Sequence, residues 1–406
     1  MPSPAKAPGH QTSAGLTILS LAVMTFAIGT GEFSIMGLLP AVAHSLDVSI
    51  PMAGNVVSAY AIGVVIGAPV VTLATATMSR RNLMLMLTGW FAVMNILGAL
   101  SPGLITLEIM RFLTGLTHAS MFGTGALIAA GMAPEGQKGR AVGHVFSGLT
   151  IANVIGAPLA SLIGEYGTWR WAYYFVGAIS LFAIFLMARH LPADSPRRGA
   201  SLLKRELSAF GRADVWFVLG TVVFGCGGMF SVYTYFAGGL TSVTHLPSWS
   251  VPYYQSLWGI GMVIGTYAGA WAIDKNVWKA TVGSFIWNIS VLALYAVTLP
   301  SAVPVTVAIF LLGGTIATGP AMQVRLMSVA GDAQTMAAAM NHAAFNMANA
   351  VGAWVGGAVL AAGLGYAWTG WAGVLISIIG LALFLFSSSG DRGAQSTVTR
   401  TDIPLH

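Results

Sequence analysis

LTILSLAVMTFAIGTGEFSIMGLLP, residues 16–40, is an apolar run with one charged side chain, Glu32. A helix of about 20 apolar residues crosses a bilayer core. This run is long enough to cross and too long for the apolar part of a signal peptide, and no signal-type cleavage site follows it. The polar stretch before it carries Pro2, Pro4, Pro8 and Gly9, with Lys6 as its charge. The whole chain has the same bias. Among 406 residues, 18 are Lys or Arg and 12 are Asp or Glu, which is 7% charged against 56% hydrophobic. Ordinary soluble domains are about 25% charged, so a soluble fold of this length lacks the charge to cover its surface. The apolar content also excludes intrinsic disorder. The reading is an all-α, polytopic membrane protein.

Apolar runs bounded by charges or Pro/Gly breaks predict twelve transmembrane helices. They lie near 16–40, 52–77, 83–101, 104–132, 139–163, 172–190, 215–238, 251–273, 278–299, 303–327, 335–362 and 367–387. The longest polar interruption carries Arg197, Arg198, Lys204, Arg205 and Arg212 against Asp194 and Glu206. It divides the chain into an N-terminal six-helix bundle (1–191), a linker (192–212) and a C-terminal six-helix bundle with a polar tail (213–406). With the N-terminus in the cytoplasm, 16 of the 18 cations fall on the cytoplasmic side; Arg170 lies in an outer loop and Arg111 within a helix. Positive charge collects on the cytoplasmic side of membrane proteins, so both termini are placed inside. The net charge of +6 is therefore topology, and no nucleic-acid partner is implied.

The two halves repeat. IGVVIG at 62–67 returns as IGMVIG at 260–265, an offset of 198. Asn153-Val-Ile-Gly156-Ala157 returns as Asn349-Ala-Val-Gly352-Ala353, an offset of 196. Gly31-Glu32-Phe33-Ser34 is matched by Gly228-Met229-Phe230-Ser231, an offset of 197. Pseudo-symmetric halves are the arrangement in which transporters rock around a central site. Other classes are disfavoured. The single Cys226 removes disulfide frameworks, iron–sulfur clusters and Cys-type zinc sites. There is neither GxxxxGK[ST] nor HExxH, so no ATP-driven or zinc-peptidase chemistry and no cofactor or metal is expected. Twelve duplicated spans do not fit a seven-helix receptor.

GTGEFSIMGLLP at 29–40, SAYAIGVVIGAPV at 58–70, RFLTGLTHA at 111–119 and GLTIANVIGAPLASLIGEYGTWRW at 148–171 resemble the major facilitator superfamily. Within it they resemble the drug:proton antiporter branch, and there the arabinose-efflux-permease-like bacterial inner-membrane exporters. The resemblance covers essentially the whole chain. It implies a monomeric, multi-pass protein of the bacterial cytoplasmic membrane that moves a small molecule against protons. The family's loop between the second and third helices keeps its basic part as Arg80 and Arg81, while its Gly and Asp positions hold Thr72 and Ala76. The second copy keeps Asp274, with Ala270 at the Gly position. The fourth-helix motif stands as Arg111 and Gly115, and the fifth-helix antiporter motif as Gly148, Gly156, Ala157 and Pro158.

Glu32 is the most informative residue. An unpaired carboxylate in hydrocarbon is costly, so it pairs, faces a cavity or holds a proton. The resemblance implies that it is the proton site; the alternative is a structural carboxyl capped by local donors. Arg111 stays charged and needs acceptors. Either it senses Glu32 and couples proton to substrate, or Glu108, one turn earlier, neutralises it locally. His118 lies seven residues after Arg111 on the same face, as a proton relay or as a satisfied interface histidine. The second half has no matching charges, so it is read as the source of substrate contacts: Tyr233, Tyr235, Gln255, Trp258, His342 and Asn346, with Asn341 and Asn349 as further candidates. His342, Asn346 and Asn349 share one helical face. Asn153 and Asn349, being repeat-related, are read as packing features. Gly148, Gly156 and Pro158, with Gly352 and Gly356, read as faces for close helix approach. Trp169, Trp171, Trp249, Trp368 and Trp371 read as an interfacial belt. The competing function is an uncoupled facilitator or symporter of the same fold.

Overall fold

A computed structural model describes residues 9–75, 77–134, 137–194, 211–318, 322, 325, 326, 329, 330 and 334–398. Every regular element among them is helical. The first half holds α1 (Gly9–Ser45), α2 (Ile50–Ala74), α3 (Arg80–Ala99), α4 (Leu104–Met132), α5 (Lys138–Ile151), a π turn (Ala152–Gly156), α6 (Ala157–Tyr166) and α7 (Trp169–His190). The second holds α8 (Ala213–Tyr233), α9 (Phe236–Ser242), a 3₁₀ turn (Ser248–Ser250), α10 (Val251–Lys275), α11 (Val277–Thr298), α12 (Ala302–Gly313) with a 3₁₀ turn (Gly314–Ala317), α13 (Gln334–Ala361) and α14 (Ala367–Val398).

Among the described residues, ten helical segments are long and apolar enough to cross a membrane, and Ala302–Ala317 is a shorter apolar helix. The α4 helix matches its expected bounds but is not one of the ten. Thr114, Thr117, His118, Ser120 and Thr124 lower its hydropathy, and all five are buried. The molecule is inverted relative to a soluble protein. Large apolar side chains such as Trp354, Phe386, Val303 and Ile105 point outward, while Glu32, Arg111, His118 and Asn349 lie inside. That is the arrangement lipid selects, since acyl chains solvate Leu and Trp but not a charge.

Both halves pack in the same order. In the first, α1 lies against α5 and α7, α2 against α4, and α3 against α7. In the second, α8 lies against α13 and α14, α10 against α12, and α11 against α14. The halves meet crosswise, α2 against α13 and α10 against the π turn and α6. The repeated glycines make the crossings possible. A Cβ on Gly63 would run into Phe112 O, on Gly67 into Leu116 O and on Gly115 into Tyr60 O. In the second half, Gly261 meets Phe310 O, Gly265 meets Gly314 and Gly313 meets Trp258 O. Each pair differs by 198, so the duplication holds contact by contact. Small residues at helix crossings let backbones touch where lipid gives no hydrophobic drive to associate.

Three features depart from the expectations. The fifth span is not one continuous α-helix: Ala157 N–H donates to Ala152 O across the π turn. Pro158 follows directly, and its missing N–H frees the backbone there. The seventh span breaks at Thr234–Tyr235 before α9. Trp169 is not part of an outer belt; it is 2% exposed, edge-on to Tyr173 with Arg170 over its ring. Trp171, Trp249, Trp368 and Trp371 are exposed as expected. The linker from 195 to 210, Ala76 and the side chain of Asp274 lie outside the described residues.

Candidate functional site

Glu32 sits on α1 with 3% exposure. Its Oε2 is 3.9 Å from His118 Nδ1 on α4, the one His–carboxylate approach of ion-pair range among the described residues. The same Nδ1 is 2.8 Å from Tyr60 Oη on α2. Glu32 Oε1 has no partner. From the second half, Asn349 on α13 lies near the carboxylate without a hydrogen bond to it, and neither of its amide atoms has a partner among the described residues.

Arg111 is 1% exposed and donates from Nη1 to Gly31 O at 2.8 Å. Its guanidinium lies over the Tyr60 ring, 4.2 Å from the centroid. It forms no ion pair with Glu32 or with Glu108 within 4.0 Å, and its Nε and Nη2 are unpartnered. Glu108 is only half-buried and turns toward Asn55. The local-neutralisation reading of Arg111 therefore has no contact behind it. A cation and a carboxylate share a water-poor interior, one carbonyl apart along α1, with unused hydrogen-bonding capacity on both. Buried polar groups are almost always satisfied, so unused capacity marks a place where a proton, water or ligand belongs.

Two aromatic layers bracket the carboxylate. Toward the Ser45 end, Tyr233 stacks on Trp258 at 4.0 Å between ring centroids and on Phe236 at 5.2 Å. It also touches Phe33, the residue after Glu32. Gln255 Nε2 donates to Phe33 O at 3.2 Å, tying α10 to α1. Among the described residues Tyr233 Oη, Trp258 Nε1 and Gln255 Oε1 make no hydrogen bond, and Gln255 lies near the Tyr233 hydroxyl. Toward the Met132 end, Phe122 stacks on His118 at 5.0 Å and meets His342 at 5.4 Å, and Phe146 meets both Phe122 and His342. His342 is seven residues from Asn349, about 10 Å along the helix.

Of the residues expected at the site, Glu32, Arg111 and His118 come together in the first half. Tyr233, Gln255, Trp258 and His342 face them from the second. Asn346 donates to His342 O at 3.1 Å and leaves its Oδ1 free. Tyr235 sits apart: its hydroxyl donates to Ala353 O at 2.8 Å and its ring packs on Gly54 and Gly357, a seal between α2 and α13. Gly148 and Gly156 let the fifth span touch α1 at Ala22, Thr25 and Thr30. Arg80 and Arg81 bind through their backbone: Asp194 Oδ2 accepts from Arg80 N at 2.8 Å and Oδ1 from Arg81 N at 3.1 Å. Arg81 Nη2 adds a bond to Ala188 O at 2.6 Å. An acid beyond α7 thus caps α3.

Sequence reasoning misses Tyr60 and prefers packing for Asn349. Tyr60 lay inside a quoted motif but carried no signal beyond a hydroxyl in an apolar span. Asn349 was read as packing because its repeat partner Asn153 is. Asn153 does bond within its own helix, to Leu149 O at 3.0 Å. The pointer to Asn349 was its shared face with His342 and Asn346.

The family model for the Major Facilitator Superfamily matches residues 21–343. The inner membrane transport protein YdhP of Escherichia coli K12 is 38% identical over 388 residues, 93% of this chain and 97% of that protein. A chloramphenicol resistance protein of Streptomyces lividans is 30% identical over 95% of this chain and all of its own length. Among solved structures, an inward-facing bacterial homologue of the lysosomal transporter Spinster superposes with a TM-score of 0.71. It is 14% identical and covers 95% of this chain and 98% of the other, a likeness of fold alone.

Proposed function

The chain belongs to the major facilitator superfamily, a family of membrane transporters rather than enzymes, and on that footing we propose that it is a proton-coupled exporter of a small molecule. Twelve spans form two six-helix bundles that rock about Glu32, with both termini in the cytoplasm of a bacterium whose inner membrane holds the protein. The ten long apolar segments, α4, the shorter Ala302–Ala317 helix and the matched packing of the halves support that count. Efflux is supported by the likeness to the chloramphenicol resistance protein of Streptomyces lividans.

One observation carries the coupling. Glu32 is buried without an ion pair to Arg111, has a free oxygen among the described residues, lies 3.9 Å from His118 in its own half and has the unpartnered amide of Asn349 nearby from the other. A protonated carboxyl can donate to Asn349; a carboxylate draws the unused Nε and Nη2 of Arg111. The two protonation states thus favour different distances between the halves, which is the requirement for a ligand to shift a conformational equilibrium. The Phe122–Phe146–His342 layer and the Tyr233–Trp258–Gln255 layer part alternately. Tyr233, Trp258 and Gln255 present aromatic faces and free polar atoms to a drug-, sugar- or nucleoside-like substrate. The test is gradient discharge in inverted vesicles against such a panel. A compound that discharges the gradient with native protein and not with Glu32→Gln supports the reading. Discharge by both would remove the proton from Glu32, and equilibration by both without a gradient would favour the uncoupled facilitator.

A further inference from the structure

A groove of about 620 Å³ opens on the outside of the second half between α10, α11 and α12. Trp271, Trp287 and Phe310 wall it, Gly283 floors it, and Lys275 and Lys279 stand at one end. The volume is within the range of small-molecule sites, about 300–1,000 Å³. Asn276 and Ser284 are the other polar residues of a mostly apolar lining, and the groove runs along α10 from Lys275 to Gly261. The rise along α10 between those two residues is about 21 Å, longer than one leaflet of a hydrocarbon core about 30 Å thick.

The first half shows that the groove is not a by-product of the fold. Trp90 Nε1 donates to Leu113 O and Trp287 Nε1 to Leu311 O, so α3 and α11 correspond at an offset of 197. That offset sets Met86 where the second half has Gly283, and Asn82 where it has Lys279. Most glycines of α10 and α12 touch a neighbouring backbone, but a Cβ on Gly283 would meet nothing within 4 Å. Gly283 therefore serves open space and no helix contact. At the mouth the chain reads Asp274-Lys275-Asn276-Val277-Trp278-Lys279, two cations to one anion. Lys275 Nζ is held 3.6 Å over the Trp271 ring, and Asn276 Oδ1 caps α11 by accepting from Lys279 N at 2.8 Å.

We propose that this groove is a binding site for one acidic phospholipid, its phosphate on Lys275 and Lys279 and an acyl chain lying over Gly283 between Trp271 and Trp287. Basic residues at the end of an apolar groove between membrane helices match such a headgroup and chain. The site depends on neither the direction of transport nor proton coupling.

The test is native mass spectrometry of the purified full chain in detergent, titrated with phosphatidylglycerol, with phosphatidylcholine of the same acyl chains, and with inorganic phosphate. Phosphatidylglycerol is expected to bind selectively. Each of Lys275→Gln and Lys279→Gln is expected to lower its affinity about fivefold, the effect of about one surface cation on an anionic lipid. The double Arg variant should keep native affinity. Gly283→Met, the first half's own residue, should abolish binding with both lysines present. Elution volume and thermal midpoint without lipid check folding; if Gly283→Met fails that check, the lysine variants decide. Equal binding of the two lipids, equal binding of inorganic phosphate, or native affinity in the double Gln variant would overturn the proposal.

Discussion

Compared through their shared offset, the two halves repeat the same glycine crossings but differ in chemistry. Gly63 and Gly261, Gly67 and Gly265, and Gly115 and Gly313 make equivalent helix crossings. At the offset of 198 those crossings share, Tyr60 becomes Trp258 and Arg111 becomes Ile309; at the offset of 197 that pairs Gly31 with Gly228, Glu32 becomes Met229. Met229 Sδ accepts from Thr315 Oγ1 at 3.1 Å, where Glu32 meets His118. The backbone device tolerates no side chain and so survives duplication. The polar cluster is free of that constraint, and one copy lost or gained it.

The sharpest way to break this comparison is to move the charge. Met229→Glu puts a carboxylate at a site 2% exposed, in the half that has Ile309 where the other has Arg111. It is expected to destabilise by about 3 kcal/mol or more, as an uncompensated buried charge does, and to leave Glu32→Gln unrescued in gradient discharge. Restored discharge in the double variant would show that the halves are chemically interchangeable. Next, Gly63→Leu and Gly261→Leu should each lower the thermal midpoint in detergent by the equivalent of about 1–3 kcal/mol of overpacking. The two effects should agree within a factor of about two; a neutral Gly261→Leu would end the contact-by-contact equivalence. Tyr60→Phe removes the hydroxyl from His118 and should destabilise by about 1 kcal/mol, the usual net of one hydrogen bond. Its transport should persist but shift in pH dependence, read from initial rates. Smallest is the capping difference. Ser79 and Asn276 cap α3 and α11 at matching positions, accepting from Asn82 N and Lys279 N, but α3 also receives Asp194. Asp194→Ala should cost about 0.5–1 kcal/mol, detected as faster amide exchange at the start of α3.

Much of the fold was legible because a bilayer reads the chain linearly. Span existence depends on local apolar content, and the bounds of α4 were recovered to the residue. The π turn was not legible, since one extra residue in a helical turn leaves the apolar pattern almost unchanged. The break at Thr234–Tyr235 escaped for a similar reason: the run stays apolar through it. At the site, Glu32 and Arg111 were found because charge in hydrocarbon is rare, and His118 because it shares their face. Tyr60 was missed, and packing preferred for Asn349, because a tyrosine or asparagine in a span is common and usually means packing. Trp169 was misplaced because closeness to a span end does not say which way a ring turns.

The sequence by itself determined the all-helical, membrane-spanning character, the internal repeats and the placing of the within-span pair Glu32 and Arg111 in one half. Each of these follows from composition along the chain or from a fixed offset. Only the tertiary structure decided that Asn349 lies near Glu32, that Tyr60 rather than a carboxylate lies under Arg111, and that Asp194 closes α3. Helical periodicity fixes which residues share a face. It does not fix which face of another helix lies opposite, because that depends on the rotation and depth at which the glycine crossings let the helices meet.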